Sequence, residues 1–170
     1  KVFLTASAGY QHPPGAKESS DYFISSTHYL NVRPTEAFSL RLGKFYPAFG
    51  ILTPDHIIAI KKDLGFDQGR ETYNFEFAVL QEKWSLFLTA ILGRYNLPKV
   101  NKESGVVVTP SLQIRDRSKL GVSFLYTEGY AVNKVVYGAW AILGFGPHFF
   151  LLTETDWQKT YQHGVVTNHY

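Results

Sequence analysis

Six charged side chains stand where alternating strands would aim them at one polar surface: Arg41, Glu76, Arg115, Lys119, Glu154 and Asp156. Each belongs to a run whose opposite parity is apolar. Cations and carboxylates gathered on a wet surface set a local field, and at a narrow point that field sorts ions. The same residues can instead pair with one another and fill a narrow interior, as they do in small barrels. Asp55, His56, Lys61 and Lys62 lie in a long connecting segment, and they would join a constriction if it folds across that surface.

Other chemistries have little to stand on. The six histidines are His12, His28, His56, His148, His163 and His169, and no HExxH or similar spacing joins them. With no cysteine, thiolate metal sites and disulfides are excluded. No metal or cofactor is expected. Ser123, His148 and Glu154 can be drawn as a hydrolase set, but no GxSxG turn accompanies them and an enzyme is not expected. The net charge of +3 is spread along the chain without a basic run or a recognisable module, so nucleic acid is not an expected partner.

The elements that must position the six charges follow a period of two, the signature of strands whose successive side chains face opposite ways. Tyr73, Phe75, Phe77 and Val79 share one side, with Thr72, Asn74, Glu76 and Ala78 on the other. Phe38, Leu40 and Leu42 alternate with Ser39, Arg41 and Gly43, and Trp84, Leu86, Leu88 and Ala90 form a further apolar side. Leu120, Val122, Phe124 and Tyr126 stand opposite Lys119, Gly121, Ser123 and Thr127. The pattern returns in Val135, Tyr137, Ala139, Ala141 and Leu143, and again in Phe149, Leu151, Thr153, Thr155 and Trp157. Short turns at Glu82-Lys83, Asp116-Arg117 and Gly146-Pro147 join these runs as hairpins rather than crossovers.

About ten strands are expected, most of roughly 9–12 residues, the length a tilted strand needs to cross a hydrocarbon core. Strands of soluble proteins cluster nearer about 5–6 residues. Aromatics make up 16% of the chain. Tyr46, Trp84, Tyr126, Tyr130 and Trp157 sit near strand ends, where an interfacial girdle would place them. No stretch reaches the roughly 18 apolar residues of a transmembrane helix. The longest, 135–145, is interrupted by Gly138 and Gly144, which read as close-approach or bend positions. A secreted sandwich or soluble barrel would also alternate, with its apolar side turned inward.

One segment breaks the alternation. Residues 47–70 (PAFGILTPDHIIAIKKDLGFDQGR) are far longer than a usual connection. Thr53 as N-cap, Pro54 at the first helical position and Gly65 as a stop predict a short helix over 54–64. The segment either folds into the interior and narrows it or lies outside in solvent. Residues 11–21 and 95–105 are rich in Pro, Gly and Ser and read as extramembrane loops. Long loops would then share one side of the membrane and short turns the other, as in outer-membrane barrels.

The stretch Arg41-Leu42-Gly43-Lys44-Phe45-Tyr46-Pro47-Ala48-Phe49-Gly50-Ile51, followed by Pro54-Asp55-His56, resembles a segment of porin-like proteins of Gram-negative bacteria. Gly65-Phe66 followed by Glu71-Thr72-Tyr73-Asn74, and the tail Leu152-Thr153-Glu154-Thr155-Asp156, are similar to the same family over about residues 22–160. The resemblance implies an outer-membrane barrel and passive transport, with no catalytic residues to carry over. Such porins are about twice this length, so the resemblance implies a partial barrel. The start at Lys1, the absence of Met and the poor alternation of 164–169 read the same way, as a processed or cut chain.

The fold expected is all-β: an antiparallel up-and-down transmembrane barrel or a segment of one, in a single domain, with one long loop carrying a short helix. The function expected is an outer-membrane, porin-like diffusion channel for small hydrophilic solutes. The alternative is a non-conducting barrel acting as scaffold or binding partner in an envelope assembly, and a third reading is a secreted ligand-binding sandwich. The expected partners are outer-membrane lipid and either other envelope proteins or further copies of the chain.

Overall fold

Valine, isoleucine, threonine and aromatic residues at alternate positions favour a pleated, half-buried surface, and they organise almost all of the described chain. The computed structural model describes residues 1–11, 22–51, 71–94, 103–130, 132–162 and 165–169. These fold into β1 (Val2–Gln11), β2 (Tyr22–Val32), β3 (Phe38–Phe45), β4 (Thr72–Leu80), β5 (Trp84–Gly93), β6 (Glu103–Arg115), β7 (Ser118–Gly129), β8 (Val132–Phe145), β9 (Phe149–Gln162) and β10 (Val165–His169). Every strand pairs antiparallel with its neighbour in sequence, giving one ten-stranded up-and-down sheet. Among the described residues β1 and β10 each pair with a single neighbour, so the sheet is open.

The hairpin turns fall where they were expected. Residues 81–83 join β4 to β5, Asp116 and Arg117 join β6 to β7, and 146–148 join β8 to β9. Three strands of the second half exceed the expected length, with 13 residues in β6 and 14 in both β8 and β9. Part of that excess comes from 103–105, read above as loop. Glu103 pairs with Gly129 and Gly105 with Thr127, which adds these residues to the ladder. Gln11 likewise closes β1 against Tyr22. The weakly alternating tail pairs as β10 along β9, because main-chain hydrogen bonds do not require a hydrophobic pattern. The remaining loop residues 12–21 and 95–102, and the helix expected over 54–64, lie outside the described residues.

Register divides the sheet into a polar and an apolar face. On the polar face Arg41, Glu76, Thr89, Val107, Leu125, Val136 and Gln158 follow one another strand by strand. A parallel row on the apolar face runs Leu42, Phe75, Ala90, Val106, Tyr126, Val135. Burial is inverted relative to a water-soluble sheet. Asn74, Glu76, Ser85, Thr89, Thr109 and Ser123 are buried, whereas Leu42, Leu112 and Val122 on the apolar face are 53%, 55% and 54% exposed. A soluble sandwich would hide the apolar side chains first.

Candidate functional site

The short segment that leaves β3 covers part of the polar face. Residues 47–51 turn back across the sheet instead of continuing outward, and Ala48, Phe49, Gly50 and Ile51 are all buried. Three side chains from three strands hold this strap. Thr109 Oγ1 of β6 donates to the Ala48 carbonyl at 2.5 Å. Ser123 Oγ of β7 accepts from Gly50 N at 2.9 Å, and Glu154 Oε2 of β9 accepts from Ile51 N at 3.2 Å. Thr109 and Ser123 also meet each other at 3.2 Å, tying two of the anchors together.

Apolar contact completes the grip. Phe49 joins Ile91, Val107, Leu125 and Val136 in a buried apolar cluster on the polar face. Left bare, those side chains would face water, so the strap gives them an apolar partner. Two glycines make room. Gly50 has a φ of 63°, and a Cβ there would fall inside the Glu154 carboxylate. A Cβ at Gly138 would strike the Asp156 carboxylate and crowd the Phe49 ring.

Of the charges named from the sequence, Arg41 and Glu76 do come together. Arg41 Nη2 donates to Glu76 Oε1 at 2.8 Å, and Thr89 Oγ1 donates to Glu76 Oε2 at 2.9 Å. The Arg41 guanidinium lies 3.9 Å from the Phe45 ring centroid and 5.2 Å from that of Tyr29, within cation–π range. Glu154 and Asp156 stand two residues apart on the polar face of β9, beside the strap. Lys119 lies on the same face, with Nζ donating to Ser85 Oγ at 3.3 Å and resting 5.8 Å from the Trp140 ring centroid. Ser85 Oγ in turn meets Ser111 Oγ at 2.6 Å.

Arg115 stands apart from the other described charges, at the end of β6. A register shift between Gln113 and Arg115 breaks the parity of β6, and Arg115 is exposed at the turn beside its partner Ser118. Asp55, His56, Lys61 and Lys62 lie outside the described residues. No protein-family model, curated protein or solved structure matches the chain.

That geometry contains residues that sequence reasoning passed over. Thr109 and Trp140 carry no sequence signal, and Ser123 is legible only as a polar-face residue and a member of a drawable hydrolase set. Ser123 and Glu154 both serve the strap, and His148 sits in the exposed turn 146–148. Six residues separate His148 from Glu154, about 20 Å along an extended strand. Beneath the strap lies a cavity of about 230 Å3 bordered by Phe87, Thr109, Ser111, Lys119, Trp140 and Ile142. A surface with fixed dipoles, the Lys119 ammonium and the neighbouring Glu154 and Asp156 carboxylates can bind and sort hydrated solutes.

Replacing Thr109 with Val keeps its volume and removes one anchor. The expected cost is about 1 kcal/mol of stability, read as a lower melting temperature. No change would mean that the Thr109 bond adds nothing to the hold of the Ser123 and Glu154 anchors and the apolar packing.

Proposed function

We propose that this chain forms a membrane-spanning β-barrel, or a segment of one, whose polar face lines a narrow passage for small hydrophilic solutes. The observation that carries the reading is the inversion of the sheet: an exposed apolar face opposite a buried, hydrogen-bonded polar one. Such a face is stable against hydrocarbon and costly against water. Open strand edges cannot persist in lipid, because each unpaired backbone group there costs several kcal/mol. The reading therefore requires the free edges of β1 and β10 to be covered, by each other or by further strands. The resemblance to porin-like proteins adds the bacterial outer membrane as the setting.

In this account the strap narrows the passage, Glu154 and Asp156 set the charge at one side of it, and Lys119 sets the other. Diffusion is passive and no bond is made or broken. A second reading keeps the barrel and closes it, since Phe49 and its cluster already fill part of the polar face. The protein would then serve as a scaffold or binding partner.

Planar-bilayer recording separates the two. The wild type should carry small discrete currents. Gly50→Val, whose Cβ displaces the Glu154 carboxylate, should release the strap and raise unitary conductance roughly twofold or more. Silence from folded wild-type and variant protein would overturn conduction and leave the scaffold reading.

A further inference from the structure

The apolar face is not uniform. Between β5 and β9 it dips into a groove of about 670 Å3. On the apolar side its lining follows two adjacent register rows, Trp84, Leu112, Leu120, Ala141 and Thr153 in one and Pro110, Val122, Ala139 and Thr155 in the next, and Ser85, Ser111, Gly121 and Trp140 of the other parity also border it. The floor is shallow-chained because Pro110, Ala139 and Ala141 are small, while Trp84, Leu112, Leu120 and Val122 stand above it. The groove thus runs across five strands as a line, about 19 Å at the ordinary inter-strand spacing.

One end of this line is charged. Lys83 precedes Trp84, and its carbonyl accepts from Gln113 N at 2.8 Å, which brings the 81–83 turn beside the end of β6. Arg115 and Arg117 are exposed at the adjoining turn, as is Lys83 at its own. Glu82 and Asp116 share this corner, so three cations stand against two carboxylates and the balance is positive. Trp84, 45% exposed at the same corner, is a residue type that favours the boundary between headgroups and hydrocarbon.

We propose that the groove holds an acyl chain of a membrane phospholipid bearing an anionic headgroup, with its phosphate against Lys83, Arg115 and Arg117. The inference rests on the membrane reading of the apolar face. A long apolar line that ends at a cationic corner complements a tail joined to a phosphate. A second copy of the chain fits poorly, because a two-fold contact would lay groove against groove and leave a void.

The test is native mass spectrometry of the full chain released from detergent micelles that contain phosphatidylglycerol and phosphatidylcholine in equal amounts. The wild type should retain one lipid, with phosphatidylglycerol preferred. Ala141→Phe and Thr155→Phe fill the groove from different strands and should each cut retention about tenfold. Lys83→Glu combined with Arg117→Glu should erase the headgroup preference and leave the melting temperature unchanged. Equal retention of the two lipids by the wild type overturns the inference, as does unchanged retention in both filled variants. A chain that folds in buffer and never enters micelles would sink the membrane reading itself, a different outcome from loss of lipid selectivity.

Discussion

Placing an arginine at Phe75 should cost about 2–4 kcal/mol of folding stability in lipid vesicles. Phe75 projects from β4 on the apolar face and is 43% exposed, in register with Leu42 and Ala90. In a water-soluble sheet so open a position would accept arginine within about 0.5 kcal/mol. In a bilayer the guanidinium must shed water or drag it inward. Urea titration of vesicle-bound protein reads the difference as a shift in midpoint. A loss below about 0.5 kcal/mol would mean that this face meets water.

The second large effect belongs to the ion pair on the polar face. Glu76→Ala should destabilise by about 3 kcal/mol, since it leaves the Arg41 charge and the Thr89 hydroxyl without their carboxylate. Arg41 keeps 22% of its side chain exposed against 5% for Glu76, so water relieves part of the penalty and the top of the usual range is not expected. Arg41→Met combined with Glu76→Leu removes both charges and should recover most of the loss, because it also removes their desolvation. Thermal melting in one detergent compares the variants. A single substitution as mild as the double would show that both groups are hydrated and not truly paired.

The faces of the sheet could be read from the sequence because alternation is a local property. Tyr73 through Val79 and Leu120 through Tyr126 declare their sides within a few residues, and two-residue turns such as Asp116-Arg117 leave little freedom in pairing. The strap could not be read in this way. Ala48, Gly50 and Ile51 find partners in Thr109, Ser123 and Glu154, between 61 and 103 residues away, and no periodicity connects them. What the sequence does carry is a glycine at position 50, and its meaning depends on Glu154 lying against it. The place of Arg115 at the end of β6 is not legible for a related reason. Parity extrapolates only through an unbroken ladder, and the register shift after Gln113 ends the extrapolation. Ser104 and Gly105 are weak strand formers and predict a loop at 103–105, and pairing with β7 overrides that weakness.

Because the chain has no cysteine, single-cysteine scanning tests the central claim directly, with one face in lipid and the other toward water. Cysteines at Leu120, Val122 and Trp157 sample the apolar face, and those at Lys119, Gln158 and Thr160 the polar face. In vesicle-inserted protein, fluorophores on the first three should be quenched by lipid-borne quenchers, and their thiols should resist a membrane-impermeant reagent. The second three should show the reverse. Rapid reaction of the first three with the aqueous reagent, at the rate of the second three, would contradict the account.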